Sequence, residues 1–133
     1  MKRRFVVAIT GASGAVYAVR LVEVLVAAGC DVHLTISSAG QAVLKHELDL
    51  AVDLEKFTPG MLLLDPRAGR DDPKLQRVRE LAGISSEASN VLSVATGEPG
   101  QVIYHHWRDF QAPIASGSYL THDMVICPCS GGT

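Results

Sequence analysis

Long apolar runs are missing from this chain of 133 residues. The longest are strand-sized or broken by charge, so no membrane-spanning segment is expected. An excess of one charge is missing as well. Twelve Lys and Arg face 14 Asp and Glu, a formal net charge of −2, and no basic stripe appears, which removes nucleic acid as a partner. Cysteine is scarce: Cys30, Cys127 and Cys129 make an odd set with no disulfide framework, as expected of reduced thiols in a cytoplasm. A cleavable leader is not expected either. Met1-Lys2-Arg3-Arg4-Phe5 is basic and then apolar, but Thr10-Gly11 interrupts the apolar run and leads into a structured pattern. The length fits one domain with a real core and leaves no room for two.

What is present is organised around residues 5–14. Phe5-Val6-Val7-Ala8-Ile9 is apolar and partly β-branched, the signature of a buried strand. Thr10-Gly11-Ala12-Ser13-Gly14 follows, small residues that let the backbone turn sharply and approach a ligand closely. Residues 15–28 read as a helix with Gly29 as its C-terminal stop, so the free N–H groups at its start are expected to take a phosphate. That helix is apolar nearly all round, with Arg20 and Glu23 its only charges, and should be packed on more than one side. Asp31-Val32-His33-Leu34-Thr35-Ile36 alternates as a second strand and closes a β-α-β unit with a parallel, right-handed crossover.

Ser37-Ser38-Ala39-Gly40 reads as a loop at the carboxyl end of that strand, where ligands bind in open parallel sheets, and 41–48 as a short helix. The middle is rich in turn chemistry. Pro73 is expected to open a helix over 73–81, and 84–100 has no assignable element. Strands return at 102–106 and 124–127. Four small polar loops, 10–14, 37–40, 116–118 and 130–133, together point to a phosphate or ring-edge site. A ligand-free strand-to-helix turn, with Ser13 as helix cap, is the competing reading of the first loop. Glu47 reads as a solvated helix residue or as a catalyst. Trp107 and Phe110 read as core or as a stack on a planar ligand. His105 and His106 are adjacent on a strand, point to opposite faces and lack a third partner, so no metal site is expected. Cys127-Pro128-Cys129 is not a redox pair, and Pro128 sets how the strand exits.

The motifs Thr10-Gly11-Ala12-Ser13-Gly14-Ala15-Val16-Tyr17, Ile36-Ser37, Glu47-Leu48-Asp49, Ala112-Pro113-Ile114-Ala115-Ser116-Gly117-Ser118 and Met124-Val125-Ile126-Cys127-Pro128-Cys129-Ser130 resemble the flavin prenyltransferase family. They fall at both ends of the chain in the family's order, whereas 52–101 does not match and reads as a divergent connecting region. The resemblance implies an α/β, Rossmann-like (flavodoxin-like) parallel sheet flanked by helices. Residues 1–133 would form a single flavin-binding domain equivalent to the family's N-terminal portion, with the C-terminal part missing and catalysis therefore incomplete.

The implied activity joins a dimethylallyl group from dimethylallyl phosphate to N5 and C6 of reduced FMN, without metal, in a homo-oligomer that is a dodecamer in the family. The product would serve a partner decarboxylase. By resemblance, Gly11, Ala12, Ser13, Ser37, Ser130, Gly131, Gly132 and Thr133 contact FMN, and Ser13 and Glu47 act in catalysis. Phe110, Ala115, Ser116 and Gly117 line a prenyl site, the last three for a neighbouring subunit. An FMN-dependent cysteine decarboxylase of the same superfamily is disfavoured by the loop 128–133, which lacks that group's Asn-Thr pattern. A non-catalytic FMN carrier is the remaining alternative.

Overall fold

The valines and isoleucines of the first run form the centre of a parallel sheet. The computed structural model describes residues 2–63 and 99–131. Within them, β1 (Arg4–Ile9), α1 (Ala15–Ala27), β2 (Asp31–Ile36), α2 (Ser38–Leu48), β3 (Val102–Tyr104) and β4 (Asp123–Ile126) follow in chain order. All strand pairs are parallel and the order across the sheet is β3-β2-β1-β4. Register puts Val7 beside Leu34 and Val125, and His33 between Val6 and Ile103.

The pleat sends alternate side chains to opposite faces. Val7, Ile9, Val32, Leu34 and Ile36 meet α1 and α2 in the main core, joined by Val52, Leu54 and Leu62 from the segment after α2. Val6, Ala8, His33 and Thr35 lie on the second face, where the connection from β3 to β4 crosses. His105 and Tyr119 of that connection bond to His33. The strand order runs one way from β1 to β3 and back to β4. Right-handed crossovers therefore place α1 and α2 on one face and the connection from β3 to β4 on the other.

The expected elements stand with adjusted ends. β2 has its expected span, and β1 starts one residue earlier, at Arg4. α1 stops at Ala27, one residue early. Ala28 is the C-cap, and Gly29 follows at φ 83°, its N–H donating to the Val26 carbonyl and that of Cys30 to Leu25. This paired geometry needs the left-handed conformation that glycine tolerates. Only Tyr17 of α1 is exposed, so the helix is covered on several sides, as its apolar surface requires.

Three expectations are corrected. Residues 38–40 are not a loop but the first turn of α2, because the Ser37 hydroxyl caps the helix by accepting from Gly40 N–H at 3.0 Å. β3 ends at Tyr104 rather than 106, although the His105 N–H still donates to the Leu34 carbonyl. The final strand is displaced by one residue, to 123–126. The expected helix over 73–81 and most of 84–100 lie outside the described residues. Among the described residues no helix is long and apolar enough to cross a membrane.

Candidate functional site

The strand order reverses between β1 and β4, and a crevice outside the carboxyl ends of strands at such a reversal is where open α/β sheets bind ligands. Loop 10–14 leaves β1 there and loop 127–131 leaves β4. The Thr10 hydroxyl donates to the Pro128 carbonyl, and the Cys127 N–H donates to the Ala8 carbonyl at 2.9 Å. The start of α2 closes the third side, with the Ser37 N–H donating to the Ile9 carbonyl at 3.0 Å. A Cβ at Gly11 would lie 2.5 Å from the Ala39 Cβ, so only glycine lets these two turns approach so closely.

Three of the four small polar loops therefore converge. The fourth does not: no hydrogen bond or ring contact among the described residues links 110–118 to Ser13 or Glu47. The segment runs instead towards the amino end of β1, where the His122 N–H donates to the Arg4 carbonyl at 2.8 Å.

The start of α1 is where the structure departs most from expectation. Gly14 is the N-cap, in left-handed geometry at φ 110°, and offers no side chain to the helix. Ser13 is not the cap. Glu47 of α2 takes that role: its Oε1 accepts from the Gly14 N–H at 3.0 Å and the Ala15 N–H at 2.9 Å. Its Oε2 accepts from the Ser13 hydroxyl at 2.7 Å. Glu47 is thus no free solvated side chain, and the two amides expected to await a phosphate already hold a carboxylate. The Ser13 hydroxyl, then the amides of Ala15 and Gly14, hold the Glu47 carboxyl below the usual carboxylate range. The preceding amides, those of Gly11, Ala12 and Ser13, have no hydrogen-bond partner among the described residues.

Ser130 and Gly131 are exposed on the loop facing this turn, while Gly132 and Thr133 lie outside the described residues. Burial, with Cys129 nearby, raises the Cys127 thiol above its ordinary value, which does not suit a nucleophile. Phe110 is 84% exposed, and Ala115, Ser116 and Gly117 are also exposed. The core reading of Phe110 and of the exposed Trp107 is therefore set aside. Trp107 lies under the Arg108 guanidinium at 4.6 Å and stacks on His106. These residues, with Ser38, Gln41, Asp53, Leu54 and Glu55, line a separate open cleft of about 300 Å³ beside α2.

The sequence did not reveal that one carboxylate serves both Ser13 and the helix. A signal existed, because α1 opens on a glycine with no acidic residue in its first turn. A helix end of that kind needs an acceptor from elsewhere.

A parallel sheet with this turn at its switch point defines a nucleotide- or flavin-binding α/β protein. The model of the flavoprotein family matches residues 1–133, and the chain belongs to that family. It is 36% identical to the flavin prenyltransferase UbiX of Halalkalibacterium halodurans over 129 residues, 97% of this chain and 47% of that protein. Against UbiX of Pseudomonas aeruginosa identity is 35% over 130 residues, 98% and 49% of the two chains. The crystal structure of AnUbiX (PadA1) in complex with FMN and dimethylallyl pyrophosphate superposes with a TM-score of 0.56 at 25% identity, covering 97% of this chain and 46% of that one. The chain thus spans about half the length of the relatives it matches.

Proposed function

We propose that this chain acts in flavin prenylation, joining a dimethylallyl group from dimethylallyl phosphate to N5 and C6 of reduced FMN. The observation that carries the reading is the Ser13–Glu47 pair at the start of α1, in the crevice where the sheet order reverses. The relatives named flavin prenyltransferase and the neighbour holding FMN with a dimethylallyl ester support it.

The residues present suit such a ligand. Gly11 and Ala12 offer amides without partners and no bulk, and Ser13 and Ser37 add hydroxyls at the same edge. Ser130, Gly131, Gly132 and Thr133 are assigned to the closing loop over the flavin. Reduced FMN, when bound, supplies the nucleophilic ring atoms. The protein's own part is to orient the allyl group and to stabilise the departing phosphate with fixed donors. Ser13 is assigned a hydroxyl contact to that phosphate, and Glu47, through Oε2, the holding or moving of a proton. A phosphate seated on the Gly14 and Ala15 amides must displace Glu47, since both are anions for one pair of donors.

Phe110 is assigned to the prenyl site, and Ala115, Ser116 and Gly117, exposed and unconnected to Ser13, are assigned to a neighbouring copy's prenyl site within a homo-oligomer. The prenylated product would pass to a decarboxylase, and the free cysteines suit the cytoplasm.

Anaerobic incubation with reduced FMN and dimethylallyl phosphate, followed by mass spectrometry of released flavin, tests this. A flavin heavier by one prenyl unit is expected. Ser13→Ala should keep flavin and lose the mass increase. Unmodified FMN that co-purifies would leave a flavin-binding module, and absence of bound flavin would overturn the reading.

A further inference from the structure

Two histidines are buried together on the second face of the sheet, away from the crevice. His33, in β2, is 4% exposed and His105, just after β3, is 9% exposed. Their rings are nearly parallel, 7° apart, with His33 Nδ1 and His105 Nε2 separated by 2.9 Å. The other His33 nitrogen, Nε2, lies 3.1 Å from the Tyr119 hydroxyl, and the Tyr119 ring meets the imidazole edge-on. One line of hydrogen bonds therefore ties the connection between β3 and β4 to the middle of the sheet at two points, 105 and 119.

We propose that the His33–His105 pair is a proton-operated latch, holding residues 113–121 against the sheet through Tyr119 while neutral and releasing them on protonation.

What each ring nitrogen can donate or accept decides how the contact responds to a proton. In the neutral pair one imidazole donates and the other accepts, and either polarity of the chain His105–His33–Tyr119 satisfies every partner. One added proton makes both His33 nitrogens donors, which the geometry tolerates but which puts a charge in a site removed from water. A second proton sets N–H against N–H at 2.9 Å, and the contact must open.

The surrounding charges are mixed. The Arg4 guanidinium sits over the Tyr119 ring at 5.3 Å and opposes protonation of His33, whereas Asp31 favours it; Asp109 favours protonation of His105. Burial outweighs these and lowers both histidines from the ordinary value near 6.5, His105 adding to the effect on His33. His122 is the other titratable neighbour. Its Nδ1 accepts from the Arg4 N–H at 3.1 Å, and its ring contacts Phe5, so it anchors the far end of the segment separately.

Opening is local because little else holds 113–121. Its described backbone bonds, from Ala115 N–H to the Ala112 carbonyl, Ser116 to Pro113 and Tyr119 to Ser116, are all short-range. Because the folded pair binds protons more weakly than free histidine, the latched state loses stability as pH falls below about 6.5.

Hydrogen exchange of the full chain, corrected for intrinsic rates, is compared at pH 7.5 and pH 5, with histidine Cε1 shifts followed by NMR. Protection of 113–121 should fall severalfold at pH 5, because the histidines bind protons more readily in the opened state than in the latched pair. Protection of α1 should hold within about twofold. Tyr119→Phe, which deletes only a hydroxyl, should leave 113–121 weakly protected at both pH values while His33 and His105 still titrate low. His122→Gln should keep the pH-dependent fall. A flat profile in the unmutated protein overturns the latch. So does loss of α1 protection in parallel, full protection in Tyr119→Phe, or disappearance of the fall in His122→Gln.

Discussion

A carboxylate that accepts from one hydroxyl and two helix amides is a structural cap, and Glu47 is in that position. Glu47→Ala should lower the unfolding free energy by about 1 kcal/mol, the usual cost of losing a helix cap, read from the urea midpoint at pH 7. Glu47→Gln, which keeps one carbonyl acceptor, should cost less. The pH dependence has a defined sign. The folded carboxyl titrates below the ordinary 4.5, so the unfolded chain binds the proton more readily. Its contribution is therefore complete above about pH 4.5 and fades as pH falls further, and the gap between the unmutated protein and Glu47→Ala should close in acid. A gap that widened in acid would contradict the bonding described. The motifs around Ser13 and Glu47 singled out both residues. Their direct bond was not, because 34 residues separate them and only the packing of α1 on α2 brings them together.

At the scale of elements, β1, α1 and β2 were legible because apolar periodicity and a glycine stop agree there. The start of α2 was not. Ser38, Ala39 and Gly40 are small residues typical of turns, yet they are helical. Ser37 caps them, and a Cβ at Gly40 would come within 2.6 Å of the Ile9 carbonyl. Close approach to β1 decides the conformation that local propensity alone would not. The same contact between loop 10–14 and α2 yields a test. Gly11→Ala should destabilise by about 1–3 kcal/mol through overlap with the Ala39 Cβ. Adding Ala39→Gly should recover part of that loss, measured as the coupling in a double-mutant cycle. Purely additive effects would show that the two turns do not press on each other.

At the scale of the molecule, β4 lies at one edge of the sheet among the described residues; its second-face residues Met124 and Ile126 are 54% and 41% exposed, and Leu120, three residues before it, is 80% exposed. A sheet edge flanked by open apolar side chains favours association. Sedimentation velocity should show concentration-dependent self-association that Met124→Lys reduces, with little change in thermal midpoint at a site so exposed. Equal association in the variant would move the contact elsewhere.

The strand order also dictates when the protein can assemble. β1 lies near the start of the chain, yet one of its two neighbours is β4, so Phe5 must wait for Asp123. At about 5–20 residues per second, synthesis of the intervening chain takes roughly 6–24 s, during which one edge of the central strand has no partner. Pairing across that separation is slow to close once the chain is complete. The crevice beside Ser13 shares this delay, because the Pro128 carbonyl that fixes Thr10 arrives with the same late strand. A nascent chain can therefore build the β1–α1–β2 unit early, but the crevice beside Ser13 gains its last side only as β4 docks.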